Sequence, residues 1–149
     1  MDMIGTNSFL QKAIEEQINE GLSVTLCVTG KSMLPYLSGA GDEFIVISRH
    51  QIEDLKPGAI ILFSQNNKSI FHRIINKKDN LLIAQGDGNC VETEIVKPEN
   101  VLGIVRFVTR ANGKKVSTNG FLSQIYWRVW YILRPIRKYL LFLYNRINK

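Results

Sequence analysis

The feature that most constrains the fold of this 149-residue chain is a series of short apolar segments separated by turn residues. In the first, residues 22–29, apolar side chains alternate with polar ones, a two-residue period that predicts a β-strand with one buried face. The later segments are bounded by glycine, proline or asparagine, which favour turns. They are residues 44–47, 59–63, 70–75, 81–84, 101–109 and 114–117. The sequence therefore predicts a mainly β domain with its β-rich core over residues 22–118.

Helical periodicity marks both ends of the chain. Residues 8–20 carry one apolar stripe at helical spacing, and Ser8 with Gln11 fits a capping box at its start. Residues 121–149 carry a second, longer amphipathic pattern, in which Pro135 should kink or split the helix. We therefore expect a folded domain over residues 1–120, followed by a basic amphipathic helical tail over residues 121–149.

The tail carries all of the excess charge. The net charge is +6, and residues 1–120 hold 13 basic and 13 acidic side chains. Residues 121–149 add basic side chains and no acidic one. A domain that binds nucleic acid would spread positive charge over its folded surface, so nucleic acid is not the expected partner. The tail is expected to lie on an anionic membrane surface, or to pack on the β domain or on a second copy of the chain.

A helical wheel divides the tail into two halves. The apolar arc contains Phe121, Leu122, Ile125, Val129, Ile132, Leu133, Ile136, Leu140, Leu143 and Ile147. The other half contains Gln124, Arg128, Arg134, Arg137, Lys138, Asn145 and Arg146, and polar-face or boundary positions hold Trp127, Trp130, Tyr131 and Tyr144. The wheel thus predicts that the apolar arc is the face that packs against a partner.

Several classes of protein find no support in the sequence. The first twenty residues contain charged side chains and no continuous apolar segment, and no window is long and apolar enough to span a bilayer. We therefore expect a cytoplasmic protein, peripheral on the inner face of the membrane if the tail binds lipid. Cys27 and Cys90 form neither a metal-ligand spacing nor a disulfide framework. Phosphate-binding, zinc and dinucleotide motifs are absent, so no cofactor is expected.

Three short segments carry the parts of an activated nucleophile. Ser32 lies in Gly30-Lys31-Ser32-Met33-Leu34-Pro35, and a serine hydroxyl needs a base to take its proton. His72 lies forty residues later on an apolar stretch, and imidazole titrates near pH ~6.5. Asp87 follows in Gly86-Asp87-Gly88-Asn89. Taken singly, each also has a structural interpretation, as a turn serine, a partly buried histidine or a carboxylate that caps turn amides.

The order, spacing and flanking residues of these segments resemble the serine peptidase group that contains signal peptidases and LexA-like self-cleaving repressors. S-M-x-P at Ser32 resembles the nucleophile box of signal peptidases. F-H-R-I-I at His72 resembles the box of the archaeal and endoplasmic-reticulum signal peptidases, in which histidine replaces the bacterial lysine base. The segment at Asp87 resembles the G-D-N box of the group. The resemblance covers residues 24–115.

The resemblance implies a signal-peptidase/LexA-like β-rich fold and a serine endopeptidase that cleaves a leader, signal-like or precursor peptide. Ser32 would be the nucleophile and His72 the general base. Asp87 is the first choice for the carboxylate that orients His72, with Glu92 and Glu94 as alternatives. Gly30, Met33 and Pro35 would line the substrate and oxyanion site, where the backbone N–H of Ser32 would face the oxyanion. No metal is implied.

Two other functions stay open. The chain could be a catalytically inactive binding module of the same fold, or a self-cleaving regulator. The second is disfavoured because no DNA-binding domain precedes Ser32 and the Ser-Lys pair of such regulators is absent. Lys68 would share a face with His72 only if the strand extended through the polar residues 66–69, which the sequence does not favour. The spanning anchor of most signal peptidases is also not seen, which favours a specialised processing peptidase.

Overall fold

Within residues 8–148, the part of the chain that the computed structural model describes, eight strands form one antiparallel sheet. The order across the sheet is β1-β2-β7-β3-β4-β5-β6, and β8 pairs with β7. The strands are β1 (Val24–Thr29), β2 (Ala40–Ser48), β3 (Ile60–Gln65), β4 (Lys68–Lys78), β5 (Leu81–Gln85), β6 (Glu94–Val96), β7 (Val101–Thr109) and β8 (Lys115–Ser117). The predicted β-rich class is confirmed.

Helices flank the sheet at both ends of the chain. They are α1 (Ser8–Asn19), α2 (Phe121–Ile132) and α3 (Arg137–Ile147). A short 3₁₀ turn, Arg134–Ile136, separates α2 from α3, so the predicted break at Pro135 is confirmed. The predicted cap of α1 depends on the side chain of Ser8, which lies outside the described residues. None of the helices in the described part of the chain has the length and hydropathy required to cross a bilayer.

Strand β4 begins earlier than the sequence suggests. Asn66 and Asn67 both have positive φ, 52° and 60°, which forms a two-residue hairpin turn between β3 and β4. Gln65 therefore pairs with Lys68, and the expectation that residues 66–69 lie outside the strand is wrong from Lys68 onward. The short strand β6, which carries Glu94, was not predicted.

The central strand β3 is buried on both faces. Ile60 and Leu62 pack into a first apolar cluster, which also holds the stripe of α1, whereas Ile61 and Phe63 pack into a second cluster on the opposite face. Strand β4 alternates in the same way, with Ile70 and Ile74 in the second cluster and Phe71 in the first. His72 therefore lies on the face of Ile70 and Ile74, as the period of two predicts.

A closed loop after β1 holds Ser32 in place. The backbone N–H of Gly30 donates to the carbonyl of Gly39 at 3.2 Å, which closes the loop at its base. The N–H of Leu37 donates to the carbonyl of Met33 at 2.9 Å, and both side chains are buried in the first cluster. Ser32 therefore lies on a loop that is fixed by its own hydrogen bonds and by the core.

We expect Gly39→Ala to open this loop. Gly39 has φ +68°, and a Cβ atom there would lie 1.5 Å from the carbonyl oxygen of Gly30, so the backbone must shift. Gly113 has a similar φ, +83°, with nothing within 4 Å of such an atom. Urea unfolding should therefore show a loss of about 3 kcal/mol or more for Gly39→Ala and about 1 kcal/mol for Gly113→Ala. Equal losses would contradict this account of the loop.

Candidate active site

The side chains of Ser32 and His72 are hydrogen-bonded to each other. Nε2 of His72 lies 3.1 Å from Oγ of Ser32, and both residues are buried, with 3 % and 8 % of their surface exposed. The loop after β1 supplies the serine, and the middle of β4 supplies the histidine. The structure thus brings together the two residues that the sequence predicts as nucleophile and base.

Glu94 contacts the other side of the imidazole. Oε2 of Glu94 lies 2.9 Å from Nδ1 of His72. Strand pairing places it there, because β6 pairs with β5 through Ala84 opposite Glu94, and β5 in turn pairs with β4. With the imidazole proton on Nδ1, His72 donates to the carboxylate, and the lone pair of Nε2 accepts the hydroxyl proton of Ser32.

A small cavity opens beside this hydrogen-bonded series. Its volume is about 90 Å³. It is lined by Ser32, His72, Glu94, Ile70, Asn89 and Glu92. A serine hydroxyl that faces a cavity and is bonded to an imidazole, which is itself bonded to a carboxylate, has the arrangement required for nucleophilic attack assisted by a general base.

Asp87 does not contact His72, which corrects its assignment as the orienting carboxylate. Its two oxygens accept hydrogen bonds from Nε and Nη2 of Arg73, at 2.9 and 2.8 Å. Nη1 of Arg73 donates to the carbonyl of Gly58 at 3.0 Å. Burial alone would lower the pKa of Arg73, but the charge and hydrogen bonds of Asp87 outweigh it and raise that pKa above its usual value. Asp87 therefore neutralises a buried arginine, and Glu94, one of the two alternatives, lies at the histidine.

The turn that contains Asp87 packs directly on the backbone of Ser32. The N–H of Gly88 donates to the carbonyl of Ser32 at 2.7 Å. A Cβ atom on Gly86 would lie 2.4 Å from that same carbonyl oxygen and 3.0 Å from Nε2 of His72. Only glycine therefore fits between the serine and histidine segments at this position, which explains why a glycine precedes Asp87.

Of the remaining predicted site residues, only Glu92 lines the cavity beside Ser32. Met33 is a core residue with 1 % of its surface exposed, so its side chain does not line the cavity beside Ser32. Gly30 closes the base of the loop, and Pro35 lines a separate cavity next to Tyr36. Glu92 does line the cavity, and its backbone carbonyl accepts a hydrogen bond from the side chain of Gln85 at 3.2 Å.

Two tail residues support the site, although the helical wheel placed them away from the buried face. Nε1 of Trp130 donates to the carbonyl of Asp87 at 2.8 Å. Nη1 of Arg137 donates to the side chain of Gln85 and to the carbonyl of Asn89, each at 3.2 Å. A wheel ranks positions by hydropathy, so it gives no signal for side chains that are buried because they bond to carbonyls of a turn distant in the sequence.

Comparisons of the chain with protein-family models, with curated proteins and with solved structures found no significant match. Among residues 8–148 there is also no group of histidine, cysteine and acidic side chains that could hold a metal ion. The chemical groups of the site are therefore the side chains of Ser32, His72 and Glu94, joined by hydrogen bonds.

Removing the charge of Asp87 should destabilise the fold. Asp87→Asn leaves Arg73 charged and 3 % exposed without its carboxylate, and we expect a loss of about 3–5 kcal/mol. Asp54→Asn is the matched control, because Asp54 pairs with Arg106 at a similar distance but is 27 % exposed, and it should cost about 1 kcal/mol or less. Urea unfolding midpoints measure both; a loss for Asp87→Asn no greater than the control would refute the structural role of Asp87.

Proposed function

We propose that this protein is a serine endopeptidase in which Ser32 is the nucleophile, His72 the general base and Glu94 the carboxylate that orients the histidine. The observation that carries the proposal is the hydrogen-bonded series from Oγ of Ser32 through both ring nitrogens of His72 to Glu94, with distances of 3.1 and 2.9 Å. All three residues line one cavity. The resemblance of the Ser32 and His72 segments to signal peptidases supports the same reaction.

The proposed reaction follows from the hydrogen bonds. Oγ of Ser32 attacks a peptide carbonyl while its proton passes to Nε2 of His72. Glu94 keeps the ring in the tautomer that can accept this proton and stabilises the imidazolium that forms. His72 then gives the proton to the leaving amine, and water, activated by the same histidine, hydrolyses the acyl-enzyme. The backbone N–H of Ser32 is the proposed oxyanion donor.

The proposed substrate is a leader, signal-like or precursor peptide. The cavity beside Ser32 has a volume of about 90 Å³, which accommodates a small side chain next to the scissile bond. Ile70 gives the cavity an apolar wall, and Asn89 offers a polar group at its edge. The sequence favours a specialised processing peptidase that acts in the cytoplasm. Protease accessibility in spheroplasts tests this location, and a domain found outside the inner membrane would contradict it.

Comparison of peptide N-termini in cells tests the activity. Extracts of the native host with wild-type protein should contain N-termini that disappear with Ser32→Ala and with His72→Ala, because each change removes a reacting group. Ser23→Ala, at an exposed serine, is the control and should leave them unchanged. Identical profiles in all strains would favour an inactive binding module. New termini within this chain itself, seen as a change of intact mass, would favour a self-cleaving regulator.

The role of Glu94 predicts a difference between two neighbouring glutamates. Glu94→Gln keeps the shape of the side chain, but the amide can donate to Nδ1 and so favours the tautomer whose Nε2 cannot accept the proton of Ser32. We expect turnover of the substrate to fall by about 10²-fold or more. Glu92→Gln, on the same cavity, should change turnover by less than about threefold. Equal effects of the two substitutions on turnover would show that Glu94 does not orient His72.

A further inference from the structure

Helices α2 and α3 have an inner face that is buried on the domain and an outer face that is apolar and exposed. Trp130 and Leu141 of the inner face pack with Leu34 in a third apolar cluster. On the outer face, Phe121 is 78 %, Ile132 74 % and Ile147 80 % exposed. We define the outer face by its exposed apolar residues, which are Phe121, Leu122, Ile125, Val129, Ile132, Ile136, Phe142, Leu143 and Ile147.

The outer face is apolar although it is exposed, whereas an ordinary amphipathic surface helix exposes its polar face. On α2 the outer-face residues fall within an arc of about 100° at 3.6 residues per turn, opposite Ser123 and Trp130 of the inner face. The apolar arc that the wheel predicted thus exists, but most of it points away from the domain. A contiguous exposed apolar surface of this kind marks an interaction site, because leaving it in water is unfavourable.

The charges around the outer face identify the class of its partner. Arg128, Lys138 and Arg146 are exposed on the same helices, and residues 121–149 contain no acidic side chain. A second copy of the chain placed on this face would bring like charges together. An anionic bilayer instead offers acyl chains to the apolar side chains and negative headgroups to the basic ones, whose long aliphatic stems reach the headgroup level.

We infer that the outer face of α2 and α3 binds the surface of an anionic lipid bilayer, with its apolar side chains among the acyl chains. This inference does not depend on the peptidase activity. The inner face of the same helices is hydrogen-bonded to the turn at Asp87 and Asn89. Binding through the outer face therefore holds the cavity beside Ser32 in a fixed position relative to the membrane.

Flotation of the full chain with vesicles tests the apolar contribution. The protein should float with vesicles of phosphatidylglycerol and phosphatidylcholine in equal amounts. Ile132→Asp should lower its partition coefficient about tenfold or more, since one large apolar side chain no longer enters the bilayer. Ile52→Asp is the matched control, because Ile52 is 72 % exposed and lies outside α2 and α3. It should float as the wild type does.

A second set of variants tests the basic contribution. The triple change Arg128→Gln, Lys138→Gln and Arg146→Gln should weaken binding to the anionic vesicles about a hundredfold. Lys77→Gln, Lys78→Gln and Lys114→Gln removes the same charge from exposed positions of the β domain and should have little effect. Vesicles of phosphatidylcholine alone should bind wild type weakly. Circular dichroism on heating shows whether each variant keeps the fold.

Three results would overturn the inference. They are failure of the wild type to float with anionic vesicles, equal flotation of Ile132→Asp and wild type, and equal weakening by the two triple changes. A dimer in light scattering that becomes a monomer with Ile132→Asp would assign the outer face to a second copy instead. The N-terminal profiles of the Ser32→Ala strain do not bear on any of these outcomes, so failure of one proposal leaves the other standing.

Discussion

The ion pair between Arg73 and Asp87 is the contact on which the geometry of the site depends. Arg73 follows His72 on β4, so a two-residue period places its guanidinium on the opposite face of the sheet, where Asp87 holds it with two hydrogen bonds. The turn that carries Asp87 then supports Ser32 through the N–H of Gly88. The position of the serine relative to the histidine is therefore set through a buried pair of charges, which remains favourable only while both partners are present.

The two carboxylates near the site have separate roles because neither can fulfil both. Both oxygens of Asp87 already accept hydrogen bonds from Arg73, and the side chain is almost fully buried. Glu94 is more exposed and lies at the edge of the cavity, where it accepts from His72. A buried, fully paired carboxylate maintains the fold, whereas a partly exposed one beside the imidazole can respond to the charge that forms there during a reaction.

Local patterns predict much of this fold and part of the site. Alternation and turn residues predict most strands, and the same period predicts that His72 shares a face with Ile70 and Ile74. Glu94 could not be chosen from the sequence, because its position depends on a three-residue strand that is recognisable only from its pairing with β5. The burial of Arg137 was missed for a related reason, since its partners are carbonyls of a turn some fifty residues away.

The tail illustrates how hydrogen bonds can override hydropathy in choosing which face of a helix is buried. The inner face packs large side chains, Trp130 and Leu141 among them, against Leu34. It also places the donors of Trp130 and Arg137 on Asp87, Asn89 and Gln85 around the supporting turn. Hydrogen bonds from Trp130 and Arg137 to these acceptors stabilise the fold more than partial burial of an isoleucine would. The reason is that a buried turn carbonyl left without a hydrogen bond is costly. The apolar arc consequently faces away from the domain. Removal of the residues after 120 would expose Leu34 and the turn that supports Ser32. The tail therefore supports the site and is also the proposed membrane-binding element. Single substitutions on its outer face affect only the second role, whereas a truncation removes both.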